Sequence, residues 1–240
     1  MRYLINLTYD GNSFYGYQIQ NNEITVEGEL EKVLSQILNQ SINTYSASRT
    51  DRGVHAYNQY CHFDYDKELD VDSLKHSINS IINDSIYVKN IKKVSDDFHA
   101  RFNVKRKEYI YKINMGEYNP LEKDYVYQYN KVINEDIISG FISLVSGKHN
   151  FRSFTSDKDK SSYERDIKIE YEIKDNILYL IFNSSGFLRY MIRNIVDLLI
   201  DVNEGKKSLD DIPTIFSDEN RCSSGRCAPS MGLYLNKIEY

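Results

Sequence analysis

Residues 42–65 read INTYSASRTDRGVHAYNQYCHFDY, and the fold can be read outward from this stretch. Ile42, Tyr45 and Ala47 suggest a strand on the upstream side, and Tyr57, Tyr60, His62, Phe63 and Tyr65 suggest another downstream. The polar run SRTDRGVHA at 48–56 is then the loop that joins them. Loops carried by rigid strands are where catalytic groups concentrate, so Asp51 stands out as a candidate. Gly53, two residues later, permits a backbone conformation or a close approach that a side chain forbids. An Asp that only organises a turn is the other reading of the same residue.

The flanking sequence extends this into two similar halves. Tyr3, Ile5, Leu7 and Tyr9 alternate as a strand, and Val26, Leu30, Val33, Leu34, Ile37 and Leu38 recur at helical spacing behind Thr25, an N-cap residue. Leu74, Ile78, Ile81 and Ile82 mark a second helix, and residues 86–94 a further strand. A second round starts with a strand at 109–113, continues through a helix near 136–146 and forms a hairpin across Asp175 and Asn176. Residues 187–202 read as helix, and Leu233, Leu235, Ile238 and Tyr240 as a closing strand. Strands and helices interspersed in this way predict an α+β protein on a mainly antiparallel sheet with helices on one side. The expected units are 1–105, carrying the Asp51 loop, and 106–240.

Composition bounds the class. The chain has 240 residues, enough to bury a substantial core, with 41% hydrophobic and 27% charged residues. No apolar run approaches membrane-spanning length and no leader is visible, so a cytoplasmic protein is expected. Cys61, Cys222 and Cys227 are an odd number without CxxC spacing, which argues for free thiols over a disulfide framework or a structural zinc site. The net charge of -5 looks unfavourable for an RNA binder. Charge distribution matters more, and Lys89, Lys92, Lys93, Arg101, Lys105, Arg106 and Lys107 form a basic segment. The 21 tyrosines include residues suited to stacking on bases, although sheet packing accounts for most tyrosines of this kind.

The loop 48–56 resembles the catalytic segment GRTDAGVHA of the TruA family of transfer RNA pseudouridine synthases. Arg49, Thr50, Asp51, Gly53, Val54, His55 and Ala56 match it, while Ser48 replaces the usual Gly and Arg52 the usual Ala. Further pieces follow in the family's order: Tyr9, Asp10, Gly11, Phe14, Gly16, Gln18 and Gln20, with Tyr17 for the usual Trp; Thr25, Val26, Gly28 and Leu30; Phe98 to Arg101 in FHAR; and Tyr109 with Tyr111. Gly147, His149, Phe151, Ser153 and Phe154 resemble GxHDFxSF, with Asn150 for Asp. Gly186, Phe187, Met191, Arg193 and Asn194 resemble GFLxxMVRN, and Ala228, Pro229, Gly232, Leu233 and Leu235 resemble APxxGLxL. So many ordered pieces are hard to obtain by chance.

The resemblance implies two ferredoxin-like halves forming a continuous, mainly antiparallel sheet with a central RNA-binding cleft. It also implies isomerisation of uridine to pseudouridine at positions 38 to 40 of transfer RNA by a homodimer that needs neither metal nor organic cofactor. Asp51 takes the part of the nucleophile. Arg193 is its ion-pair partner, and Tyr109 stacks on the target base and assists proton transfer. Arg49 helps displace the base, and His55 and Arg101 join Arg49 and Tyr109 as substrate-binding candidates. Alternation puts Tyr109 and Tyr111 on the same face, so spacing does not choose between them. A metal site from Asp51, His55, His62 and Asp64 competes with the role given to Asp51 and with strand alternation. A paralogue with another RNA target, or a non-catalytic RNA-binding protein on the same scaffold, are the rival functions.

Overall fold

Strand β1 (Arg2–Tyr9) buries Tyr3, Ile5, Leu7 and Tyr9, the residues whose alternation predicts it. Helix α1 (Val26–Leu38) begins where the Thr25 hydroxyl accepts from Gly28 N at 3.2 Å. It buries Val26, Leu30, Val33 and Leu34 along one stripe and ends at Asn39 in the left-handed region, φ +52°. The expected strand over 42–47 shrinks to β2 (Tyr45–Ser46). The cause lies in α1: Ile42 N donates to Ser35 Oγ at 2.9 Å and Thr44 N to Glu31 Oε1 at 2.5 Å, so this backbone serves the helix and not a neighbouring strand. Strand β3 (His55–Asp64) therefore starts at His55, inside the run read as loop. Helix α2 (Val71–Ile81), capped by Asp70, and β4 (Ile86–Val94) complete the pattern.

The order β4-β1-β3, with β2 antiparallel on the far end of β3, makes β1-α1-β2-β3-α2-β4 a ferredoxin-like unit. Strand β5 (Arg106–Asn114) follows, then β6 (Tyr127–Gln128), α3 (Glu135–Val145), β7 (Gly147–Asn150), β8 (Glu164–Lys174), β9 (Ile177–Ser184), α4 (Met191–Asn203) and α5 (Ile212–Asp218). Here β5, β9, β8 and β7 lie in that order, and β5-α3-β8-β9-α4 repeats the first five major steps of the plan. Asp175 and Asn176, at φ +51° and +61°, form the two-residue β8-β9 turn that their side chains favour. The helix expected from 187 starts only at Met191, because Tyr190 at φ +62° interrupts it.

The computed structural model describes residues 1–158 and 160–240. It divides into two compact units, Met1–Lys107 with Tyr234–Tyr240, and Glu108–Leu233. Strand β10 (Leu233–Glu239) thus returns to the first unit, where Tyr234 and Leu235 pair in parallel with His55 and Ala56 of β3. The shortness of β2 leaves that end of β3 open. The architecture is α+β with a mainly antiparallel sheet. Among the described residues, no helix is long and apolar enough to cross a membrane. Among the described residues, Cys61 and Cys227 form no disulfide, and burial pushes the Cys61 thiol up to about 12; the Cys222 side chain lies outside the described residues.

Candidate active site

Asp51 sits half-buried in the loop between β2 and β3, and almost every residue before it is fixed by a different element of the first unit. Lys107 Nζ donates to Ala47 O at 2.6 Å, and Gln59 Nε2 donates to Ser48 O at 2.7 Å. Tyr17 N donates to Thr50 O at 3.1 Å, and the Thr50 hydroxyl lies 2.7 Å from that of Tyr9. Val54 N donates to Asp51 O at 3.1 Å, closing a turn whose third residue, Gly53, has φ +75°, the sign a type II turn demands. The segment from Tyr9 to Tyr17 braces the loop from one side. A Cβ on Gly11 would fall 2.2 Å from Val54 O, and Gly16, at φ +98°, would carry one 3.0 Å from Thr50 O. Arg49 and Arg52 are exposed on either side of the half-buried carboxylate.

Lys107, one of the basic segment, is also a member of this site. It is only 9% exposed, because the inward alternation of Tyr109, Tyr111 and Ile113 extends back to it. Burial, with a smaller push from the charge of Arg101, lowers its ammonium to about 8. Between about 8 and the ordinary lysine value of roughly 10.5, the unfolded chain holds more protons at this position than the folded one, so stability rises with pH. Below about 8 both states are protonated, and keeping the charge in the fold costs about 3 kcal/mol relative to high pH. We expect the unfolding free energy of wild type minus that of Lys107→Met to climb across this window in pH-resolved denaturant titrations. A flat difference rules out the buried ammonium.

Two histidines of β3 anchor two other segments. His55 Nδ1 accepts from Gly11 N at 3.1 Å with the Asp10 carboxylate 3.2 Å away, and its ring stacks on Tyr234 at 4.6 Å. Its side chain is almost wholly buried, so His55, expected among the substrate contacts, is placed to shape the loop-bracing segment. His62 Nδ1 accepts from Ala100 N at 3.1 Å, which fixes the FHAR segment. Burial first, then the charge of Arg2, lowers His62 to about 4, so it is a neutral acceptor at physiological pH. Arg101 is exposed beside Phe102, itself 75% exposed. Among the described residues, no group of three or more His, Cys, Asp or Glu is arranged to hold a metal ion.

The second unit holds the other two candidates. Tyr109 and Tyr111 are both buried on one face of β5, and each meets a different segment of the second unit. The Tyr111 hydroxyl donates to Pro229 O at 2.6 Å and is raised well above its ordinary value by burial, so it serves the segment 228–232. Tyr109 meets Phe187 edge-on with centroids 5.3 Å apart, in the segment that leads into α4. Arg193, in the first turn of α4, is half-buried. Its Nε donates to Ala228 O at 2.7 Å, and its guanidinium carbon lies 5.6 Å from the Tyr190 ring centre. The Nε bond fixes the plane of the guanidinium and leaves its terminal nitrogens to other partners.

A family model described as tRNA pseudouridine synthase matches residues 7–103 and 142–240, which include Asp51 and Arg193; Tyr109 falls between the two spans. The tRNA pseudouridine synthase A of Geobacillus sp. (strain WCH70) is 39% identical over 238 residues, covering 98% of this chain and 96% of that protein. Its namesake from Mycoplasma genitalium is 39% identical over 240 residues, covering 100% and 98%. That of Malacoplasma penetrans is 37% identical over 242 residues and covers both chains completely. Among solved structures, a chain of a Cbf5-Nop10-Gar1 complex aligns over 81% of this chain and 44% of its own length, with a TM-score of 0.36 and 11% identity, too distant to bear on the site.

Proposed function

This chain belongs to the tRNA pseudouridine synthase family, and from that premise we propose that it isomerises uridine to pseudouridine in transfer RNA, at positions 38 to 40 of the anticodon stem and loop. The observation that carries this reading is the Asp51 loop, whose backbone is tied to Lys107, Gln59 and Tyr17 around a half-buried carboxylate. Such bracing presents one acid in a fixed orientation, which is what attack on a sugar requires.

The reaction breaks the bond from N1 to C1′, turns the uracil and rejoins it through C5, with the C5 proton passing to solvent. Asp51 starts it either as a nucleophile at C1′, giving a glycosyl ester, or by taking the C2′ proton to give a glycal. Both routes are redox-neutral and require no cofactor. Arg193 keeps Asp51 ionised once water is excluded. Tyr109 stacks on the base and takes part in proton transfer at C5. Arg49 fills the space vacated by the extruded nucleotide, whose unstacking costs roughly a few kcal/mol. Arg101 contacts the RNA backbone. The enzyme acts in the cytoplasm as a homodimer.

The test is position-resolved pseudouridine detection on unmodified transfer RNA transcripts incubated with the purified protein, without added metal. Modification at 38 to 40 is the expected result. Modification elsewhere would identify a paralogue, a reading that the departures at Tyr17, Ser48, Arg52 and Asn150 favour. No pseudouridine at any position would remove the enzymatic reading.

A further inference from the structure

The side chain that follows Asp51 is exposed, cationic and held in one place. The Arg52 guanidinium carbon lies 3.9 Å from the centre of the Tyr15 ring, so one face of its plane is covered by an aromatic surface. Its edge donors have neither a carboxylate nor a hydrogen-bond acceptor among the described residues. Tyr15 is itself anchored: its N–H donates to Ile24 O at 2.9 Å, and its carbonyl accepts from Gln20 Nε2 at 2.6 Å. Gly16, next to it, rests on the backbone of Thr50 and Arg52. The platform and the catalytic loop are therefore parts of one braced assembly. Arg52 is also the second residue of the turn closed by Val54 N and Asp51 O, and its side chain is exposed.

An exposed arginine pays little for its charge but much for its freedom, and stacking on Tyr15 has already removed part of that freedom. What remains is a planar fork of unpaired donors beside the acid. Its geometry matches the non-bridging oxygens of a phosphodiester, and a cation on an aromatic ring also tolerates an unstacked base. Net charge makes such a point important: the protein is acidic overall, so attraction for a polyanion must come from placed cations.

We propose that Arg52, stacked on Tyr15, is a phosphate clamp that grips the substrate strand next to the target uridine. The inference rests on the RNA-modifying function proposed above and adds to it a contact that the resembled pattern, with Ala at this place, lacks. The clamp contributes to binding and registers the strand over Asp51; it takes no part in bond making.

The experiment compares wild type, Arg52→Ala, Arg52→Lys and Tyr15→Leu on one unmodified transfer RNA transcript across a salt series, by equilibrium binding and by initial rates. Arg52→Ala should weaken binding by about 5- to 10-fold, place the loss in KM, and reduce the slope of log affinity against log salt by about 0.7 to 0.9, the value of one phosphate contact. Arg52→Lys should regain the slope without the full affinity, because a point charge replaces the fork. Tyr15→Leu should keep the slope and lose affinity. An unchanged affinity and slope in Arg52→Ala overturns the clamp, as does a loss confined to kcat. Binding is read whether or not product forms, so failure of wild type to make pseudouridine counts against the proposed function and leaves the clamp to be judged on affinity and slope.

Discussion

We expect Asp51→Ala to end pseudouridine formation while leaving the protein folded. Several of the bonds that hold the loop run through its backbone and through Thr50, not through this side chain. Its carbonyls are held by Lys107, Gln59 and Tyr17, its Thr50 hydroxyl by Tyr9, and its turn by the backbone bond from Val54 to Asp51. Truncation at 51 leaves all of these bonds in place, so melting should shift little. Turnover should fall by at least about 10⁴-fold, the scale on which removal of a reacting nucleophile or base is felt. Asp51→Asn keeps the shape, removes the charge and should fail equally, since an amide neither attacks C1′ nor accepts the C2′ proton. The measurement is single-turnover product formation on an unmodified transcript, with circular dichroism and melting as controls. A variant retaining a tenth of wild-type turnover would show that the carboxylate does not react.

What the sequence made legible follows from how local each cause is. Thr25 and its apolar stripe define α1 within a few residues, and Asp175 with Asn176 define a hairpin through the φ signs they tolerate. The Asp51 loop was visible because strong strand formers flank it. The errors come from long-range causes. Strand β2 is short because α1 takes the hydrogen bonds of residues 42 and 44, which no pattern inside 42–47 announces. Helix α4 starts late because Tyr190 adopts a left-handed conformation that a tyrosine does not advertise. Strand β10 forms where a closing strand is expected, but its parallel pairing with His55 and Ala56 at the start of β3 is not announced by its own residues. At the site, Lys107 belongs to the basic segment by composition, yet the period of two through Tyr109 and Tyr111 places it inward. The bracing by Tyr9, Tyr17 and Gln59 is not readable in the sequence, since Tyr9 and Tyr17 lie far from position 51 along the chain and the Gln59 side chain reaches back across the loop to a backbone carbonyl.

That bracing carries a second large expected effect, at a position with no chemistry. A Cβ on Gly11 would lie 2.2 Å from Val54 O, 2.4 Å from Val54 C and 2.8 Å from Val54 N. These are backbone atoms of the turn that holds Asp51, so no side-chain rotation relieves the clash. Either the 9–17 segment lifts off the loop, giving up the Gly11 N–H bond to His55 and the Tyr17 bond to Thr50, or the turn itself moves. Overpacking in well-filled sites commonly costs about 1–3 kcal/mol, and a clash between two backbones belongs at or beyond the upper end. Gly11→Ala should therefore lower Tm by roughly 6–12 °C for a chain of this size and reduce turnover in the surviving folded fraction. Gly186→Ala is the matched control, because a Cβ there has no neighbour within 4 Å; it should stay within about 0.5 kcal/mol of wild type. Gly11→Ala melting within two degrees of Gly186→Ala would mean that the loop has slack, and the rigid presentation of the acid would then have to come from somewhere other than this contact.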